Sequence, residues 1–200
     1  MNNWPAHHTF HGRLVLLVGV AIVQAVLPLL LRPIGMAPGQ ITVVKATDRD
    51  IGLFRGRGVD LRVAPLTPRN LPAVLDPLLG PGDFLLNLSV DVSSTDLIAL
   101  CQRRGALYLD TCIEPWAGGY TDPALTLEQR TNHALREQAL ALLRSSVVQP
   151  TALVTHGANP GLVSHWVKQA LLDIAQVCLP EHARPITRAG QAWRINWGYG

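Results

Sequence analysis

The chain has little of what marks several common protein classes. Its 200 residues include three cysteines, Cys101, Cys112 and Cys178. Odd in number and without a CxxC pair, they give neither a disulfide framework nor a zinc site, and they point to a reducing, cytoplasmic setting. Charged residues make up 16% of the chain, and 17 Lys and Arg against 14 Asp and Glu leave a formal net charge of +3. The basic residues are scattered with no stripe, so nucleic acid is not an expected partner. A hydrophobic content of 48% excludes a disordered chain. The N-terminal flank carries His7, His8, His11 and Arg13 in place of a Lys/Arg cluster, and no convincing small-residue cleavage site precedes Pro38, so a signal peptide is not indicated. The HHTFH cluster could ligate a metal, but it sits in a terminus without support. Residues 1–12 are therefore read as a flexible tail and no metal is expected.

Charge is also missing from residues 14–31, LVLLVGVAIVQAVLPLLL. Two readings compete. A membrane-spanning helix needs around 20 apolar residues, and Gln24 and Pro28 interrupt this run. The alternative is a buried strand, Leu14–Val18, followed by a tight turn and a buried helix from near Ala21. The rest of the chain favours the second, because short β-type segments alternate with helical ones. ITVVK (Ile41–Lys45), LRVA (61–64), FLLNLSV (84–90), ALYLDTC (106–112) and TALVT (151–155) read as strands. Between them, Thr67 and Pro68 open a helix across 70–79 closed by Gly80, and Ser93 with Asp96 form a capping box for a helix ending in Arg103, Arg104 and Gly105. Thr126 and Gln129 cap a helix over 127–143. After Gly161 the positions Leu162, Val163, Trp166, Val167, Ala170, Leu171 and Ile174 recur with helical period, which predicts a helix with one buried face. Six strands separated by helices predict an α/β fold with a doubly wound, mainly parallel sheet.

In such sheets ligands bind beyond the carboxyl ends of the strands, so residues just after each strand carry the functional information. NLSVDVSS places Asn87, Ser89 and Asp91 around the mouth of a central strand, where a ribose or an amine could bind. CIEPWAGGY puts Glu114 beside Trp116, a carboxylate next to an indole face, which suits an ammonium. A packing role for Trp116 and a solvated Glu114 would also fit these two residues. In HGANPG, Asn159 and His156 follow a strand end, where turn formation by Asn-Pro and a structural hydrogen bond to the histidine are the plainer roles.

NLSVDVSS, LYLDTCIEPWAGGYTDP and VTHGANPGLVSHWVKQALLDIA together resemble bacterial homospermidine synthase, a relative of the saccharopine dehydrogenase group with a Rossmann-type domain. The resemblance runs from about Gly12 to Ala175. It implies a tightly held NAD that takes hydride from a diamine such as putrescine, with spermidine the other candidate donor, and returns it after a second putrescine has condensed, giving homospermidine in polyamine biosynthesis. It also implies that Glu114 and Asn159 face substrate and nicotinamide, with Asp91 in the same pocket and Trp116 beside them. The turn Val18, Gly19, Val20, Ala21 and Ile22, together with Asp48, Asn87, Ser89, Thr111 and Asn159, is implied as the cofactor-binding set. Asp48 suits the ribose hydroxyls of NAD and would repel a 2′-phosphate. A homodimer is the family's assembly.

Two departures from the resemblance matter. Aligned on Gly12-Arg13 and Val26-Leu27-Pro28, the family's glycine-rich turn falls on Val18, Val20, Val23 and Ala25, leaving Gly19 alone. Valine forced into a glycine-type conformation costs on the order of 1–3 kcal/mol, and a side chain at Val20 would occupy phosphate space. Beyond about Ala175 the resemblance fades, so residues 13–175 are expected to form the NAD-binding domain and 176–200 a divergent tail, with the family's second domain missing. Little or no activity is then expected of the chain alone. The alternatives are a non-catalytic remnant or binding and dimerisation domain, a related saccharopine-type dehydrogenase, and a membrane-anchored protein using residues 14–31.

Overall fold

The computed structural model describes residues 8–19, 23–49, 52, 54, 56–142 and 148–178. In chain order the elements are β1 (His8–Thr9), β2 (Leu14–Val18), α1 (Val23–Leu31), β3 (Ile34–Gly35), β4 (Ile41–Lys45), β5 (Asp60–Val63), α2 (Leu71–Leu75), β6 (Phe84–Leu88), α3 (Ser94–Arg104), β7 (Leu107–Asp110), α4 (Asn132–Leu142), β8 (Ala152–Leu153) and α5 (Leu162–Cys178). All six expected strands pair in one sheet of order β5-β4-β2-β6-β7-β8, with every pairing parallel. This is the Rossmann-type architecture expected from the sequence.

Alternation along the strands splits the core into two layers. Val15, Leu17, Leu85 and Tyr108 face α2, α3 and α4, meeting Leu75, Leu97, Ile98, Leu100 and Leu135. Leu14, Leu16 and Val18 point the other way, onto Leu27 of α1 and onto Ile41, Val43 and Phe54. A strand buried on both faces has no polar position to offer, which is why LVLLV is apolar throughout. Within the charge-free run, Leu14–Val18 is a central strand and Val23–Leu31 a helix. With nine residues α1 is about 13.5 Å long, and among the described residues no helix is long and apolar enough to cross a membrane.

The strands are also locked at their amino ends. The Asp83 carboxylate accepts the Arg13 backbone N–H at 2.7 Å, Arg13 Nε and Nη2 at 3.0 and 2.7 Å, and the Gly80 N–H at 2.8 Å. A single largely buried acid therefore ties the entrance of β2 to that of β6.

Several details differ from expectation. Residues 8–12, expected in a flexible tail, are held: β1 pairs with β3, Gln40 Nε2 donates to the Phe10 and Gly12 carbonyls at 3.2 and 3.0 Å, and Phe10 meets Phe84 edge to face. The helix expected over 70–79 shortens to Leu71–Leu75 and a 3-10 turn at Asp76–Leu78, because Pro77 has no N–H for the Ala73 carbonyl. Thr67 and Asn70 instead close a turn before it through reciprocal bonds of 2.7 and 3.3 Å. Ser93 caps α3 as expected, and Gly105 ends it at φ 72°. The buried face expected of α5 is not found: Leu162, Trp166, Val167 and Ile174 are exposed. Periodicity predicts a face that can be covered and is silent on whether this chain covers it. The chain divides into units 1–157 and 158–200, a break inside the domain expected over 13–175.

The Asp83 clamp predicts that Asp83→Ala, which leaves partly buried N–H groups without their acceptor, lowers unfolding free energy by about 2 kcal/mol in urea, against less than about 1 kcal/mol for the exposed Asp60→Ala. Equal small losses would show that the clamp contributes little.

Candidate functional site

The sheet itself decides where a ligand can sit. From β2 the chain steps outward through β4 to β5, then returns across the sheet to β6 and steps the other way through β7 to β8. Beyond the carboxyl ends of β2 and β6, where the connections diverge, a crevice is left without any side chain being assigned to make it. A cavity of about 340 Å³ lies at this end, lined among others by Val18, Gly19, Lys45, Ser89, Asp91 and Ala117. That is at the small end of the roughly 300–1,000 Å³ range of ligand pockets.

Four of the expected site residues, Val18, Gly19, Ser89 and Asp91, therefore share one cavity. Val18 is a buried strand residue paired with Lys45 and Leu88, and its φ is not positive. The strain expected of a valine at this position is absent, since here it is simply the last core residue of β2. Gly19 donates to the Leu88 carbonyl at 3.4 Å, and a Cβ built on it would meet only that oxygen, at 3.8 Å. The glycine thus leaves open space at the strand end, where a ligand can approach the backbone. Val20, Ala21 and Ile22 lie outside the described residues.

Under Ser89 the structure shows a buried polar chain that the sequence reading only touched at Asn87. Asn87 Oδ1 accepts the Ser89 N–H and hydroxyl at 3.1 and 2.6 Å, and its Nδ2 donates to the Tyr108 hydroxyl at 3.3 Å. Tyr108 donates in turn to Asp110 Oδ2 at 2.9 Å, and Asp110 Oδ1 accepts the Thr155 N–H at 2.6 Å. Asp110 is fully buried; burial pushes its carboxyl above the usual range, while the bonds from Thr155 and Tyr108 pull the other way. This is how β7 holds β8: Thr155 has φ 55°, a genuine outlier for a β-branched residue, and the short bond from its N–H offsets that strain. A signal for Tyr108 and Asp110 was present in LYLD, where two polar residues two apart fall on one face of an otherwise apolar strand.

Asp91, just past β6, is the other non-glycine residue with positive φ, 63°, among the described residues. Asp tolerates this conformation better than most side chains, and it brings the carboxylate to the cavity wall. Glu114 is anchored by its backbone: its N–H donates to Ser94 Oγ at 3.0 Å and its carbonyl accepts the Ser94 N–H at 2.9 Å. Burial first, and the charge of Asp91 second among the raising causes, lift the Glu114 carboxyl above its ordinary value, against lowering hydrogen bonds from Cys112 and Tyr120. Burial and the same Glu114 carboxylate push Tyr120 up to about 12. Glu114 and Asp91 thus form one acidic patch, with Cys112 and Tyr120 around it.

Other expected residues are placed elsewhere. Trp116 donates its indole N–H to Asp96 Oδ2 at 2.6 Å and lines a separate pocket of about 280 Å³ with Ser93, Asp96 and Tyr120. Asp96, expected to complete a capping box, has gone to Trp116. The indole therefore staples the 114–120 loop to α3 and is not on the wall that carries Asp91, because one N–H cannot both hold Asp96 and leave the ring free to turn. Thr111 follows β7 and is half-buried, and Asp48 is exposed in the turn after β4. Asn159 belongs to the unit 158–200, beside a cis Asn159-Pro160 bond.

Comparison with known proteins bears on these observations. A family model described as the saccharopine dehydrogenase NADP binding domain matches residues 15–153. The chain is 41% identical over 191 residues to the homospermidine synthase of Blastochloris viridis, covering 94% of this chain and 40% of that protein. It is 37% identical over 194 residues to the homospermidine synthase of Mesorhizobium japonicum, covering 96% and 40%. Among solved structures it resembles a homospermidine synthase from Legionella pneumophila in complex with NAD, with a TM-score of 0.73 and 39% identity over 84% of this chain and 34% of that one. The chain spans about 40% of the length of the curated relatives it matches.

The acidic patch predicts a titration. By carbon-detected NMR, Glu114 will titrate above the ordinary glutamate value of about 4.3. Asp91→Asn will lower that midpoint by removing a like charge without restoring it, because the burial remains; an unmoved midpoint would separate the two carboxylates.

Proposed function

The chain belongs to the saccharopine dehydrogenase NADP-binding-domain family, and on that premise we propose that it serves NAD-dependent aminobutyl transfer between diamines, converting putrescine to homospermidine. NAD occupies the crevice beyond β2 and β6, and the diamine lies against Glu114 and Asp91. The observation that carries this reading is that Asp91 lines the cavity; burial first, and then the charge of Asp91, raises the Glu114 carboxyl. A dinucleotide in the cavity would have two carboxylates beside it, and two carboxylates select for a cation.

The magnitudes favour an amine. An ammonium about 4 Å from a carboxylate gains about 4 kcal/mol at an effective dielectric constant of 20, and a second acid adds to this while relieving the repulsion between the two. NAD, when bound, accepts a hydride from the carbon bearing the amine and gives it back. The chain's own residues prepare that carbon. Glu114, with its carboxyl raised, is better matched to a proton transfer near neutrality than an ordinary glutamate, and an amine must shed a proton before its carbon can release hydride. Ser94 keeps the Glu114 backbone in place, and the Trp116–Asp96 bond holds the loop that follows. Asp48 would meet the ribose hydroxyls.

A second reading, binding of dinucleotide and amine without turnover, has one observation in its favour. Of the four residues expected to be catalytic, Asp91 lines the crevice cavity while Trp116 lines a different pocket. Formation of NADH on mixing the chain with NAD and putrescine separates the readings.

Calorimetric titration of putrescine into the NAD-saturated chain will show binding that Glu114→Gln weakens by about tenfold or more, the equivalent of about 1.4 kcal/mol. Unchanged binding in that variant would remove the amine from Glu114.

A further inference from the structure

We propose that Lys45 is a specificity-determining positioning residue: by holding the turn after β4 it fixes which side chain of that turn meets the nucleotide ribose, and so sets the preference for NAD over its 2′-phosphorylated form. The inference rests on the dinucleotide reading above. Lys45 is the last residue of β4 and a lining residue of the cavity, yet it is only 2% exposed. Lysine is almost never buried this far unless paired, and among the described residues it forms no ion pair. Its ammonium instead donates to the Arg49 backbone carbonyl at 2.6 Å and stands 5.5 Å from the centre of the buried Phe54 ring.

An apolar side chain would satisfy this core position at least as well, so the lysine is there for a geometry. The bond from Nζ to the Arg49 carbonyl closes the turn 46–49 on the end of its own strand. That turn carries an acid and a base side by side, Asp48 and Arg49, both exposed. At this place in the fold an acid receives the hydroxyls of an unphosphorylated ribose, whereas an arginine receives a 2′-phosphate. The bond fixes the backbone at Arg49, and with it the directions in which the Asp48 and Arg49 side chains leave the turn. Lys45 acts through Arg49 and Asp48: its own ammonium is already committed to a carbonyl and covered by a ring, and does not reach the ligand.

The test measures dissociation constants of the full chain for NAD and NADP in the unaltered protein, Lys45→Met, Lys45→Arg, Asp48→Asn and the double variant Lys45→Met with Asp48→Asn. The unaltered chain will prefer NAD. Lys45→Met will reduce the ratio of the two affinities by about tenfold, the size of one charge-assisted hydrogen bond. Lys45→Arg, which can still donate to the Arg49 carbonyl, will restore most of it. The double variant will be no worse in that ratio than Asp48→Asn alone, as coupled residues require. Equal losses for both nucleotides in Lys45→Met, a selective loss of NADP, or an unchanged ratio in Asp48→Asn would each overturn the proposal. If Lys45→Met does not fold, an unchanged ratio in Asp48→Asn still overturns the proposal, and Lys45→Arg still tests the bond to the Arg49 carbonyl. Binding of neither nucleotide by the unaltered chain defeats the dinucleotide reading itself, and the inference with it, an outcome distinct from binding with an unaltered preference.

Discussion

Everything functional in this chain follows from one constraint, the burial of an all-parallel sheet on both faces. Parallel strands need crossover connections, and those crossovers are right-handed almost without exception. A chain that starts at β2 and winds outward to β5 has to return to the middle before it can build β6, β7 and β8. The connections then diverge on either side of β2 and β6, and the backbone ends there without cover. The ends of the strands supply what lines the crevice: Gly19 from β2, Ser89 and Asp91 from β6.

Polar atoms at that end are few and individually held, as a low-dielectric interior requires. Asp110 is tied to Tyr108 and Thr155, Asn87 to Ser89, Ser94 to Glu114, and Trp116 to Asp96. The positive φ values of Asp91 and Thr155 fall at the ends of β6 and β8 and nowhere else among the described non-glycine residues. Strain of this kind persists only where its surroundings over-determine it, and for Thr155 the surroundings are the buried Asp110 carboxylate. Asp91 lines the crevice, and its charge, after burial, raises the Glu114 carboxyl.

The fold was legible because burial on two faces leaves a strong imprint. LVLLV and ITVVK can be little else than central strands, and β2 and β4 occupy the expected residues. Segment ends were less visible: FLLNLSV stops at Leu88 because Ser89 turns to bond Asn87, and 70–79 breaks at Pro77 because a missing N–H cannot be read from hydropathy. The pairing of β1 with β3 rests on two residues each, too short for any periodicity. At the site, Asp91 and Glu114 stood out as acids after strands. The roles of Ser94 and Asp96 were hidden, since Ser94 looks like a first-turn residue and Asp96 like part of a capping box, and their partners in the 114–120 loop are 20 residues away in sequence. Lys45 has a sequence signal of its own, a cation closing a strand of four uncharged residues.

The measurement that tests this account most directly is a two-dimensional amide NMR titration of the full chain with NAD. The account predicts that the largest shifts fall on Gly19, Ser89 and Asp91, with smaller ones at Asp48 and Arg49 and none at the far ends of β2 and β6 near Arg13 and Asp83. Shifts centred elsewhere, or a spectrum that NAD leaves unchanged, would contradict the assignment of the crevice beyond β2 and β6 as the dinucleotide site.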